Sequence, residues 1–341
     1  MDNAALNRFT RREFLSGASA VGAAALVGFP GKATAEPPLE IKKIRLAFDF
    51  VTCLAPVYLA EQLLRLEGFT DVQYVEFAGG GGTAVDILEK GQADLTLEPA
   101  PSLVYAMDRR PSILALAGIH SGCVELFGND RVHAVRDLKG KTVAVYSLGG
   151  AVHVFLSSML AYVGMDPRKD VTWLVNDKLG DGMRHFIEGR TDAILAFPPQ
   201  PQELRAKKVG RVIINTAQDR PWSQYFCCML VANQAFVANY PIATKRALRA
   251  VLKAADVCAQ EPERAARYLV EKGHEPRYEV ALEVLRSLPY DRWRQSDPID
   301  TLRFHALRLH EVGIIKSDPN KLIAQGTDWR FLNELKRELK A

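Results

Sequence analysis

Long apolar runs, a charge excess of one sign, and the cysteine and histidine spacings of metal or nucleophile motifs are all missing from this 341-residue sequence. Each absence closes off a class of function. Basic residues number 44 against 40 acidic ones, and two of the four surplus positive charges fall in the first 35 residues. With no basic run or tail, the electrostatic footprint of a nucleic-acid binder is lacking. Beyond the N-terminal leader no segment approaches the roughly 20 apolar residues of a membrane-spanning helix. Five cysteines, Cys53, Cys123, Cys227, Cys228 and Cys258, make an odd set without a C-x-x-C pair. They are read as small buried hydrophobes rather than as redox or metal groups. Cys227 and Cys228 are neighbours in a strand-like run, so their side chains are expected on opposite faces. There is no G-x-S-x-G elbow and no H-E-x-x-H helix. His305 and His310 are five apart, off a common helix face. No catalytic residue, metal ligand or cofactor is assigned.

What is present begins at the N-terminus. Thr10-Arg11-Arg12-Glu13-Phe14-Leu15 is a twin-arginine motif, followed by a weakly apolar Gly/Ala-rich stretch from Gly17 to Phe29. Ala33-Thr34-Ala35 supplies the small residues a signal peptidase reads, so residues 1–35 are expected to be a twin-arginine signal peptide, cleaved after Ala35. The stretch is too short for a membrane anchor. No cysteine follows it for lipid attachment. The destination this implies is the periplasm, with the twin-arginine translocase as the export partner.

After the leader, short apolar runs alternate with amphipathic stretches. Ile44–Phe50, Val72–Ala78, Asp94–Leu97 and Ile113–Ile119 read as one set of strands. Lys141–Tyr146, Val171–Asn176, Asp192–Phe197 and Val212–Asn215 read as a second. Near-continuous apolar runs suit strands buried on both faces of a parallel sheet, and their alternation with helices makes the fold α/β. The two sets also repeat. Gly68, a strand, a helix and Gly91-Gln92-Ala93-Asp94 are echoed by Gly164, a strand, a helix and Gly189-Arg190-Thr191-Asp192. Each glycine is expected to end a helix in the left-handed region. Two similar α/β lobes imply a cleft between facing strand-end loops. Tyr225–Ala232 reads as a strand returning to the first lobe, and the helices after Pro241 as a tail that backs that lobe.

The run Asp137-Leu138-Lys139-Gly140-Lys141-Thr142-Val143-Ala144-Val145, then Ser147, Gly149-Gly150 and Gly164-Met165-Asp166-Pro167, resembles the substrate-binding proteins of ABC importers for nitrate, sulfonates, taurine and thiamine-pyrimidine precursors. The glycine run Gly79–Gly82, the Gly-Gln-Ala-Asp turn and the segment Phe236–Cys258 fit the same family. The resemblance implies a two-lobed, hinge-closing fold of the type II periplasmic-binding kind with a C-terminal helical segment. Lobe one would be residues 41–124 and 222–341, and lobe two residues 125–221. Crossings near Phe127–Val135 and Ala217–Trp222 would make the hinge. The pyrimidine-synthase branch carries a cysteine-rich motif and a sacrificial histidine. Of that motif only the neighbours Cys227 and Cys228 occur here.

The strand-end loops supply the candidate ligand contacts. Asp49, Phe50, Thr52 and Cys53 follow the first strand, and Gly80, Gly81 and Thr83 the second. Four glycines before a helix let amides approach an anionic group, or form a plain turn. No Gly-Lys-Ser/Thr follows them to make a phosphate loop. Glu98 and Ser102 follow the third strand, where Glu98 serves a ligand, complements a helix N-terminus or is simply solvated. Ser121 ends the fourth. In the second lobe Ser147, Gly149, Gly150 and His153 open a helix that Ser147 either caps or leaves for a ligand. Asn176 and Phe197 end later strands, and Trp222 and Tyr225 either wall the pocket or pack in the core.

The expected function is an exported solute-binding protein. It would capture a small organic molecule (a sulfonate, amino-sulfonate, pyrimidine or organic acid) as a monomer, for an ABC permease and its ATPase. A pyrimidine-precursor synthase-like enzyme on the same scaffold and a ligand-sensing module are the alternatives.

Overall fold

The computed structural model describes residues 36–49, 51–76, 84–110, 112–175 and 181–340. The candidate residues Arg11, Arg12, Ala35, Phe50, Gly80, Gly81, Thr83 and Asn176 lie outside these ranges. Ten strands are described: β1 Lys43–Phe48, β2 Asp71–Glu76, β3 Leu95–Pro99, β4 Ile113–Ser121, β5 Glu125–Gly128, β6 Lys141–Val145, β7 Val171–Val175, β8 Ala193–Ala196, β9 Arg211–Asn215 and β10 Phe226–Asn233. They form two five-stranded sheets, ordered β2-β1-β3-β10-β4 and β7-β6-β8-β5-β9. In each, three strands run parallel and the fourth in order runs antiparallel to its neighbours. The sequence repeat is therefore a repeat of topology.

The repeat extends to individual side chains. Gly91 and Gly189 both adopt positive φ, at 65° and 72°. The Asp three residues after each glycine then clamps the neighbouring strand. Asp94 accepts the Arg45 backbone N–H at 2.7 Å and Asp192 accepts that of Thr142 at 3.0 Å. Each Asp donates its own N–H back to the carbonyl of the same residue, at 2.8 Å in both cases. These buried carboxylates staple the third strand of each sheet to the first.

Helices cover the sheets: α1 Ala55–Leu66, α2 Ala84–Glu89, α3 Ala100–Arg109, α4 Ala151–Tyr162, α5 Asp181–Ile187, α6 Gln200–Lys207, α7 Gln234–Asn239, α8 Pro241–Gln260, α9 Pro262–Glu271, α10 Tyr278–Ser287, α11 Pro298–Glu311, α12 Pro319–Gln325 and α13 Arg330–Glu338. Proline at the first or second position of seven of them presets φ where no amide partner is lost. The tail is not confined to the first sheet, as the sequence suggested. Helix α11 also packs on α4 of the second, where Ser158 Oγ and His305 Nδ1 lie 2.8 Å apart in the core. No helix of the described residues is long and apolar enough to cross a membrane.

Strand β5 was missed, and with it the position of the first crossing. Glu125-Leu126-Phe127-Gly128 is too short and mixed to show a period, yet it is buried and paired on both edges, by β8 and β9. The chain therefore passes between the sheets at Gly122–Val124, not at Phe127–Val135, and returns over Thr216–Tyr225. The two passages are bonded to each other. Thr216 Oγ1 accepts the amides of Cys123 (3.2 Å) and Val124 (2.9 Å), and donates to the Val124 carbonyl at 2.7 Å.

Candidate functional site

The end of β1 meets the end of β8, where the Thr52 amide donates to the carbonyl of Pro198 at 3.2 Å. Two further bridges join the same sides, Arg205 to Glu283 at 2.7 Å and Arg277 to Glu203 at 2.8 Å. Helix α3 reaches the Ser147–Gly150 loop so closely that a Cβ on Gly149 would lie 2.9 Å from the Tyr105 hydroxyl. The strand-end loops of the two sheets thus face one another over the paired crossings.

Among the expected contact residues, Thr52 and Cys53 are buried in a 3-10 turn before α1, and Asp49 is half-buried. The Asp49 carbonyl accepts the Tyr58 hydroxyl. Ser102 and Ser121 are buried with hydroxyls that have no hydrogen-bond partner among the described residues. Glu98 is a buried residue of β3 rather than a solvated loop carboxylate. Burial, with Cys228 and Asp86 nearby, pushes its carboxyl up to about 8. Ser147 does not cap α4. Gly150 is the N-cap residue, and His153 Nδ1 takes the Gly149 amide at 3.1 Å. Burial brings His153 down to about 4, which keeps that nitrogen free to accept. Phe197 stands edge-on to Phe155. Trp222 is buried edge-on to Tyr162 and Phe304, and Tyr225 stacks on Phe304 at 4.2 Å.

Of one cluster beneath the strand ends, sequence reasoning singled out Cys53 alone. Cys53 from the 3-10 turn after β1, His120 from the end of β4, Cys123 from the crossing that follows it, and Cys228 from the start of β10 bring their side chains together, with all four ligand-type atoms within 4.8 Å of one another. Cys227 joins from the side, its Sγ 2.8 Å from that of Cys123. The expectation that Cys227 and Cys228 point to opposite faces fails because the register slips between Phe226 and Cys228, and again before Met229. Such a bulge sets two residues against one and breaks the alternation. Tyr290 roofs the cluster. Its hydroxyl donates to the Cys53 carbonyl at 3.1 Å and its ring stands edge-on to His120. Among the described residues neither ring nitrogen of the fully buried His120 makes a hydrogen bond of good geometry, and the Cys53 and Cys228 thiols are its weak neighbours. All five cysteines are buried thiols, as expected, but only the fold brings four of them to one place. The strand-end position of His120 was the one available signal.

A separate hollow of about 300 Å³ lies between α13 and residues 295–299, lined by Trp329 and Lys336 among others, away from the strand ends.

The family described as NMT1/THI5 like matches residues 55–265. No curated protein matches the chain by sequence. Among solved structures, the alkanesulfonate-binding protein SsuA from Xanthomonas axonopodis pv. citri, bound to MOPS, is similar with a TM-score of 0.70 at 17% identity, over 86% of this chain and all of its own. The periplasmic nitrate-binding protein NrtA from Synechocystis PCC 6803 gives 0.70 at 19% identity, over 89% of this chain and 90% of its own. The desulfurization enzyme DSZB gives 0.60 at 14% identity, over 87% of this chain and all of its own. At these identities the likeness is one of fold, the two-lobed periplasmic-binding architecture.

Proposed function

The chain belongs to the NMT1/THI5-like family, and from that premise we propose that it is a solute-binding protein, exported to the periplasm, that holds a small organic molecule between its two sheets. The observation that carries this reading is the pair of buried hydroxyls of Ser102 and Ser121, unpartnered among the described residues, beneath facing strand-end loops. A buried hydroxyl without a partner costs about 1–3 kcal/mol, which a bound polar group would recover. Ser147, Gly149 and Gly150 form the opposing wall, which Tyr105 of α3 meets from the Ser102 side. The ligand class that suits neutral donors on one side and Asp49 and Glu98 on the other is a sulfonate, amino-sulfonate, aminopyrimidine or simple organic acid. Delivery to an ABC permease and its ATPase completes the role.

A thermal-shift screen over these four classes, with native mass spectrometry of what co-purifies, tests the reading. At a hundred times its Kd a ligand adds about 2.7 kcal/mol to stability. Ser121→Ala and Ser147→Ala are each expected to weaken the hit roughly tenfold. If a hit binds both variants as tightly as the parent, the site lies elsewhere. An enzyme on the same scaffold is the second reading, favoured by the thiols on the cleft floor. Turnover of the bound compound by the purified protein decides between them.

A further inference from the structure

We propose that Cys53, His120, Cys123 and Cys228 form a buried site for a divalent, borderline-soft metal ion of the zinc type. The site is independent of the solute-binding reading. Three thiols and an imidazole are the donors such an ion prefers, and the absence of a carboxylate from the set disfavours magnesium and calcium.

The geometry is close to what coordination needs. Ligand atoms about 2.3 Å from a tetrahedral centre lie about 3.8 Å from one another. The four atoms here lie within 4.8 Å, so side-chain rotations moving them by less than about an ångström close the set. Burial argues the same way. His120 is fully buried, and among the described residues its ring nitrogens have only the Cys53 and Cys228 thiols as weak partners, which a metal bond would replace with a strong one. Loading would release the three thiol protons to solvent, leaving three thiolates and a neutral imidazole around the ion. That complex carries one net negative charge with a divalent ion and two with a monovalent one. In a buried setting the smaller charge is favoured.

Four protein ligands leave no open position, so the ion would be structural rather than catalytic. Its placement says what it would hold. The ligands come from the 3-10 turn after β1 and from the two strands that flank the crossings, with Cys123 itself inside the first crossing. The ion would fasten the floor of the cleft where the chain passes between sheets.

Cys227 provides the competing outcome. Its Sγ is 2.8 Å from that of Cys123, so loss of two electrons and two protons to a disulfide-forming oxidoreductase of the periplasm would join the pair and take Cys123 out of the ligand set. The test therefore uses the full chain and its Cys227→Ser variant, both with thiols shown to be reduced, titrated with Co2+ and then with Zn2+. The expected result is one equivalent of Co2+ with intense thiolate charge-transfer and tetrahedral visible bands, displaced by Zn2+. Cys53→Ser and His120→Asn should each lower Co2+ affinity at least about tenfold, and Cys53→Ser should also weaken the charge-transfer band. Cys258→Ser should leave both unchanged. Circular dichroism establishes that each variant is folded, and His120→Asn serves if Cys53→Ser is not. No stoichiometric uptake by reduced parent and Cys227→Ser, or equal uptake by Cys53→Ser and His120→Asn, overturns the site.

Discussion

Glu275 and Arg277 form a local clamp two residues apart in sequence, with Arg277 Nε 2.8 Å from the nearly buried Glu275 carboxylate. The same guanidinium reaches across to Glu203 of α6 at 2.8 Å, and the other Glu275 oxygen lies 3.5 Å from Thr52 Oγ1. Through this pair, a buried charge on the first sheet's side is tied to a helix of the second. Glu275 and Glu203 hold the Arg277 guanidinium above its ordinary range.

Arg277→Met should cost about 1–3 kcal/mol in urea unfolding, because it leaves the Glu275 carboxylate buried without its partner. The ion pair between exposed Arg277 and half-buried Glu203 adds little of that by itself. Small-angle scattering should show a larger radius of gyration than the parent. An unchanged radius would mean this bridge does not hold the two sides together.

Gly122 has φ +48°, and a Cβ there would sit 2.2 Å from the Ala217 Cα. Gly122→Ala must therefore spread the two crossings as well as strain the backbone. The expected cost exceeds about 1 kcal/mol, read as a lower melting temperature. If the hinge tolerates alanine at parental stability, the crossings are not held in this contact in solution.

His305 is buried against Ser158, and burial, helped by Arg308, pushes it down to about 3. A histidine whose folded pKa lies below its unfolded value of about 6.5 stabilises the fold fully only above that pH, and the contribution drains away as pH falls toward 3. Melting temperature should accordingly drop between pH 7 and pH 5, by less than the histidines alone would give, because Glu98, raised to about 8, gains stability over the same span. His305→Gln should shrink that drop without abolishing it, since His153 is shifted in the same direction. A drop of parental size in His305→Gln would assign the acid sensitivity to other groups.

Replacing Arg11 and Arg12 with Lys should leave precursor in the cytoplasm, because the twin-arginine route reads guanidinium groups rather than charge alone. Fractionation with an antibody to the mature chain measures it. Normal periplasmic accumulation of the double variant excludes the route.

Much of the fold could be read from local patterns. The apolar runs located nine of the ten strands to within a few residues. The inner ones were found because a strand buried on both faces must be apolar along its length, and the part-exposed β2, β7 and β9 because their runs are still rich in β-branched and aromatic residues. The paired Gly-x-x-Asp turns located the repeat, because a left-handed residue at a helix end calls for glycine whatever the rest of the chain does. Strand β5 was not legible. Its four residues, one charged and one glycine, owe their conformation to partners on both edges that lie far along the chain.

The candidate site divides along the same line. By itself the sequence determined the α/β class, the repeat and the loops that end each strand, all of which follow from residues near one another in the chain. Only the tertiary structure decided that Cys53, His120, Cys123 and Cys228 share one buried space and that Thr52 meets Pro198. Residues more than a hundred positions apart become neighbours through sheet order and through the slips of register in β10, and neither leaves a local signature. A lone histidine and scattered cysteines carry no period, so their meeting is a property of the packed chain.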